Sequence, residues 1–281
     1  MRFVATLLLW LVTTVALAVA IPTAWAQNKV VNEDGYAALA ASAAKDPKLQ
    51  DAMASELTTQ LKLVSGTGYG VSSDLLHGAV AAYTASSVFP GQFAEVNRLA
   101  HRWMFTDSVQ QTDASGRWEV DLSPLLADTS FQQTLTSFGI RAPRSLTVPI
   151  TVSGTNGLRP GQLQTLSTWG PWVSVGATVV AGVFALLTLA AARSRGKALA
   201  ALGVSALLVG AGGWAGLEVA RRYINDALNR TTGDIRRVAE VMVNHAEGSL
   251  HQWLNLTLAA GGGLVIFGVI VSMLGGLRRS Q

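Results

Sequence analysis

"AARSRGKALA", residues 191–200, decides the topology of this 281-residue chain. Arg193, Arg195 and Lys197 place three cations within five residues, and long uncharged runs lie on either side. A phosphate-binding loop would need more glycines and a following Lys-Ser/Thr, and this stretch has neither. The flanking runs supply the reading. Residues 3–26, 171–192, 198–217 and 253–277 contain no charged residue. Each reaches the ~20 residues that cross a ~30 Å hydrocarbon core. The expectation is an integral membrane protein with four spans.

Short Lys/Arg-rich segments beside spans stay cytoplasmic. With Arg2 inside, four spans bring the 193–197 turn and the pair Arg278 and Arg279 to that same side. Arg193, Arg195, Lys197, Arg278 and Arg279 are therefore read as topology determinants, and "RSRGK" as a cytoplasmic turn. Charge supports this. The chain carries +4 overall, yet residues 27–170 hold ten basic and twelve acidic residues. The surplus cations thus flank spans, which argues against nucleic acid as a partner. Only 14% of residues are charged, against about 25% in soluble domains. There is no cysteine, so no disulfide, thiolate metal site or thiol nucleophile is available.

The first 26 residues allow two readings. A basic start, an apolar run and Ala24-Trp25-Ala26 fit a cleavable secretory signal. Residues 3–20 are already 18 uncharged residues, longer than the usual signal core of ~7–15, which favours a retained anchor. The expected organisation is an anchor at 1–26, an extracytoplasmic α-rich domain at 27–169 and spans at 170–192 and 198–219. A turn at 193–197 joins those two spans. An extracytoplasmic amphipathic segment at 220–252, a span at 253–277 and a cytoplasmic tail at 278–281 follow. The protein is expected in the plasma membrane, in contact with membrane lipids and other membrane proteins.

The expected fold class is a mainly α membrane protein with a helical outer domain and a small antiparallel β element. Asn32 caps a first outer helix, with Glu33 and Asp34 in its opening turn. Asp46-Pro47 starts a second, carrying Leu49, Met53, Leu57, Leu61 and Val64. Ser72 or Ser73 caps a third, with Leu76, Ala79, Val80 and Tyr83 on one face. "FPGQF", 89–93, reads as a turn into a fourth, striped by Phe93, Val96, Ala100 and Met104. "GRWEVDL" (116–122) and "SLTVPITVSG" (145–154) read as strands around a fifth helix that Ser123-Pro124 starts and Gly139 ends. In 220–252, five arginines face four acids, and Gly233 is expected to separate two short amphipathic helices lying on the membrane or the outer domain.

Little here suggests catalysis. "SGTGYG" (65–70) follows a helical stripe, not the strand that a dinucleotide fingerprint requires. His77, His101, His245 and His251 form no zinc-helix pattern, although Asp74 and His77 share a helix face. A Ser/His/Asp hydrolase would lack the G-x-S-x-G elbow. No cofactor is expected. The candidate polar cluster is Asn97 and His101, four apart on the border of an apolar stripe, read as a packing pair facing a neighbouring helix or the loop after Thr106. Glu218 is the one acid near a span, with Arg221 and Arg222 placed to neutralise it, so the spans lack a transporter's mid-membrane charges. They carry Gly212, Gly216, Gly261–Gly263 and Gly268 instead, which permit close helix approach.

"DGYAALAASAAKDPKLQDAMASELTTQL", "FAEVNRLAHRWM", "WEVDLSPLL" and "STWGPWVSVGATVVAGVFALL" follow one another in this order. The arrangement resembles an uncharacterised actinobacterial, mycobacterial-type, family of four-span integral membrane proteins with an extracytoplasmic domain. The resemblance implies topology and compartment, not a reaction. The expected function is a non-enzymatic envelope protein: a scaffold, a sensor or an accessory subunit of a membrane assembly. A lipid-export or lipid-import machine of mycobacterial type is one such host. The alternative is an extracytoplasmic enzyme or lipid binder with its site between outer domain and membrane.

Overall fold

The computed structural model describes residues 2–65, 72–106, 119–121, 123, 127–137, 147–149, 161–229 and 233–277. The chain is mainly helical. In order, the elements are α1 (Arg2–Ala26), a π-helical turn (Gln27–Val31), α2 (Glu33–Ala43), α3 (Pro47–Ser65), α4 (Ser73–Thr84) and α5 (Phe89–Phe105). There follow β1 (Glu119–Asp121), α6 (Thr129–Ser137), β2 (Thr147–Pro149), α7 (Gln164–Ala191), α8 (Arg195–Leu228) and α9 (Gly233–Leu277). Four helices are long and apolar enough to cross a membrane: Phe3–Val31, Gln164–Ala191, Arg195–Leu228 and Gly233–Leu274. Between 11% and 33% of each apolar window is buried, so most of that apolar surface faces outward, as in a lipid-solvated bundle.

The residues divide into two compact units. One, the bundle, comprises Met1–Asn28, Thr168–Arg222 and Glu247–Gln281; the second comprises Lys29–Ser167 and Tyr223–Ala246. Each is taken by itself.

In the bundle, α8 and α9 meet along a glycine seam with a seven-residue repeat. Gly196, Gly203 and Gly210 on α8 face Gly268, Gly261 and the Leu254–Leu258 stretch of α9. A Cβ on Gly203 would lie 2.6 Å from the Gly261 carbonyl oxygen and 2.7 Å from the Val265 nitrogen. On Gly196 it would lie 2.5 Å from the Ser272 nitrogen. Backbone thus packs on backbone, which lets two helices gain dispersion contact where water expulsion gives no help. A repeat of seven keeps one face in register only if the pair coils left-handedly. This corrects part of the glycine reading. Gly212, Gly216, Gly262 and Gly263 have open space where a Cβ would go, and the seam uses residues 196, 203 and 210, which hydropathy does not mark.

α1 joins α8 through polar contacts. Trp10 Nε1–H donates to the Ala201 carbonyl at 2.8 Å, and the Thr14 and Ser205 hydroxyls share a 2.8 Å hydrogen bond. In α7, Ser174, Ala181 and Thr188 are buried at seven-residue intervals, a second seam of small side chains.

The second unit follows the stripes in its sequence. Leu49, Leu57, Leu61, Leu76, Ala79, Val80, Tyr83, Phe89, Phe93, Val96, Trp103, Phe131 and Leu135 form its core, with Met53, Ala100 and Met104 at the edge. Tyr83 stands edge-on to Phe89 and Phe131, at 5.9 and 4.5 Å between ring centres. The caps are in place. Asn32 Oδ1 accepts from the Gly35 N–H at 2.8 Å, Asp46 Oδ1 from Lys48 at 2.9 Å, and Ser72 Oγ from Leu75 at 3.3 Å.

Several expectations change here. "FPGQF" is the first turn of α5, with Pro90 where its missing N–H costs nothing. α6 is capped by Asp128, whose Oδ1 accepts from the Phe131 N–H at 3.0 Å. The pairing of β1 with β2 is antiparallel but only three residues long, Glu119 opposite Pro149. It adds no sheet layer, and the longer strands expected at 116–122 and 145–154 extend outside the described residues, as do "GTGYG" and Gly139. Among the described residues of 220–252 there are no short separate helices: 220–228 end α8, and 233–252 belong to α9, which Gly233 (φ +69°) opens. Val241 sits in the core of the second unit, with Val238 and Met242 packed against it.

Candidate functional site

The candidate residues Asn97 and His101 lie on α5, and each has a different hydrogen-bond partner. Asn97 Nδ2–H donates to the Phe93 carbonyl one turn back, at 2.8 Å. His101 is 4% exposed, and its Nε2 lies 3.0 Å from the Val30 carbonyl oxygen. A carbonyl can only accept, so Nε2 carries the proton in this contact. The ring stacks on Phe105 at 4.2 Å and 15°, with Tyr36 tilted 5.4 Å away. His101 therefore faces the π-helical turn and a neighbouring helix, α2, while the loop after Thr106 lies outside the described residues. Burial pushes its pKa below the ordinary imidazole value. The Val30 carbonyl and the Glu33 carboxylate pull the other way, and burial wins. A neutral, hydrogen-bonded, stacked imidazole is fixed in one tautomer and fills a packing role.

Around it, α5 grips the start of α2 by charge. Arg102 donates to Glu33 Oε1 through Nε at 3.0 Å and Nη2 at 2.7 Å. Arg98 pairs with Asp34, with Glu95 at 3.2 Å and with Glu33 at 4.0 Å. The Arg102 hydrogen bond holds the Glu33 carboxyl below the usual carboxylate range. These pairs are partly solvated, so each contributes at most about 1 kcal/mol. Glu33 and Asp34 also sit in the first turn of α2, where the helix dipole favours them. The sequence placed Glu33 and Asp34 in the opening turn of a helix, but only the fold shows that Arg98 and Arg102 meet them.

A second polar group, which the sequence reading missed, joins α8 to α9. Arg221 Nε and Nη2 both reach Glu247 Oε2 at 2.8 Å, and Glu247 is only 7% exposed. Glu218, expected as the partner of Arg221, is a weaker contact at 3.5 Å. One turn along α9 from Glu247, His251 stacks on Trp214 at 3.9 Å, and Trp214 Nε1–H donates to Asn255 Oδ1 at 3.2 Å. Glu247, His251 and Asn255 recur every four residues on one helical face, which runs across the expected boundary between the amphipathic segment and the span at 252/253.

At the opposite end of α8, the bundle gathers its basic segments. Phe3 and Leu7 line one groove together with Arg193 and Lys197, and Gly196 packs on Gly268 and Ser272. The start of α1, the 193–197 turn and the last turns of α9 thus share one end, as an even number of crossings requires. Arg278 and Arg279 lie outside the described residues.

Among the described residues, no three His, Asp or Glu side chains converge on a metal position. No known family model, curated protein or solved structure matches the chain.

Proposed function

We propose that this chain is a non-enzymatic, multi-pass protein of the cell envelope, a scaffolding or accessory subunit docked on another membrane protein through its spans. In this reading the second unit lies outside the cytoplasm, and residues 1–26 remain as a packed span. The observation that carries the proposal is a contrast. The acids of the α2–α5 and α8–α9 clusters are spent on internal ion pairs, and His101 on a backbone carbonyl. The spans meanwhile keep glycine faces that internal packing leaves open, at Gly212 and Gly216 on α8 and Gly262 and Gly263 on α9. Small residues on a lipid-facing surface let another helix approach closely. The bonds from Trp10 and Thr14 to α8 favour retention of α1.

The test combines orientation and capture. In the cysteine-free chain, Ser194→Cys should resist an impermeant maleimide in intact cells, while Ser115→Cys and Thr232→Cys react. Mild detergent extraction should recover a stoichiometric protein partner, and Gly212→Leu/Gly216→Leu should release it without unfolding the chain. Labelling at position 194 would overturn the orientation. Unchanged partner recovery with the leucine variant would overturn docking through this face.

A further inference from the structure

We infer that the basic end of the bundle is a binding site for one anionic glycerophospholipid, with its headgroup phosphate at Arg193 and Lys197 and an acyl chain along α1. A groove of about 800 Å³ opens between the start of α1, the end of α7 and the start of α8. That volume lies within the ~300–1,000 Å³ of ordinary ligand sites. Phe3 and Leu7, one turn apart, form its outward wall at 79% and 49% exposure, and Ala198 and Ala201 give it a shallow, small-residue floor. Trp10 closes one side, held by its bond to the Ala201 carbonyl. The mouth is cationic. Arg193 and Lys197 line it, both are exposed, and neither forms an ion pair among the described residues.

Charge complementarity identifies the occupant. The chain has no acid between Asp128 and Glu218 or after Glu247, so no carboxylate of its own neighbours this mouth in sequence. The first turn of α8, which begins at Arg195, adds the positive end of a 34-residue helix. An anion alone would use the mouth and leave the apolar walls bare. A zwitterionic lipid would fill the walls but bring a cation to the mouth. An anionic phospholipid satisfies both, as basic pockets between spans on the cytoplasmic face do.

The experiment uses the full chain in mild detergent, analysed by native mass spectrometry with phosphatidylglycerol or phosphatidylcholine added. Wild type should retain one phosphatidylglycerol in preference to phosphatidylcholine, and inorganic phosphate should not displace it. Arg193→Gln/Lys197→Gln should lower that preference about thirtyfold, given roughly 1 kcal/mol per cation at a lipid surface. Arg278→Gln/Arg279→Gln, which removes two cations but leaves the groove residues intact, should keep it. Equal retention of the two lipids, displacement by phosphate, or an equal loss in both variants would overturn the site. Should the groove variant fail to fold, wild type answers alone. A diazirine-tailed phosphatidylglycerol should label peptides within 3–10 and 188–201, and labelling spread evenly over the spans would sink the proposal.

Discussion

Gly203→Ala adds one methyl group to the α8–α9 seam, and the structure sets its cost. The new Cβ would sit 2.6 Å from the Gly261 carbonyl oxygen and 2.7 Å from the Val265 nitrogen, both backbone atoms that no rotamer change can move aside. Relief requires the helices to part, which forfeits dispersion contact along the seam. Overpacking of this kind costs about 1–3 kcal/mol, while alanine gains roughly 0.8–1 kcal/mol over glycine in helix propensity. The net is a loss of up to about 2 kcal/mol. Gly212→Ala, nine residues further along the same helix, meets nothing within 4 Å and keeps only the gain. The propensity gain is common to both, so two variants with the same chemistry should differ by the overpacking cost, about 1–3 kcal/mol. Reversible unfolding of the full chain by SDS titration in mixed micelles, followed by circular dichroism, reads the difference. If Gly203→Ala proves as stable as Gly212→Ala, the seam is not where the structure puts it.

The ion pair at the other end makes a second test. Arg221→Gln strands the Glu247 carboxylate at 7% exposure and should cost about 2 kcal/mol, while Arg221→Gln/Glu247→Gln should recover at least half; additive losses would show the two groups uncoupled. Tyr83→Phe removes a buried hydroxyl that has no hydrogen-bond partner among the described residues, so its thermal midpoint should hold or rise; a loss above about 1 kcal/mol would reveal a partner. His101→Ala should cost about 1–3 kcal/mol by stranding the Val30 carbonyl. Because the folded state depresses the His101 pKa, the unfolded chain binds more protons below pH 6.5. Stability from this group is therefore full above 6.5 and falls as pH drops. Glu33 adds a like-signed loss below pH 4.5, and a midpoint-versus-pH series in which His101→Ala keeps the wild-type slope just below 6.5 would refute the assignment.

Hydropathy located the four candidate spans because twenty uncharged residues admit few other environments, but the helices run on past the apolar residues. Residues 164–170 and 218–228 are polar enough to lie outside hydrocarbon, yet they remain helical because helix ends follow hydrogen bonding, not polarity. The caps Asn32, Asp46 and Ser72 were legible, since a short polar side chain before an apolar stripe has one local use. Only one side of the seam was. Counting glycines within a span picked out Gly261 and Gly268 on α9, but Gly212 and Gly216 on α8, because Gly196, Gly203 and Gly210 form a pattern only when every seventh residue is read against a partner helix. Asn97 and His101 looked like a pair because four residues bring side chains together on a helix. Each found a backbone carbonyl closer, which sequence spacing does not reveal.

The glycine seam also has a mechanical consequence. Where Gly196 and Gly203 rest on α9 backbone, the two helices can neither slide nor separate without a clash or a lost contact. Past Gly210 the spacers are leucine side chains, which can yield. The closed end is a fulcrum, and relative movement of the pair reduces to rotation about it. Arg221 lies 25 residues from Gly196 along α8, roughly 37 Å at 1.5 Å per residue. A swing of about 5° would shift it by about 3 Å over that lever arm, as far as its present contact with Glu247 is long. The ion pair is thus the latch of the lever, and its making or breaking reports the angle between the two helices.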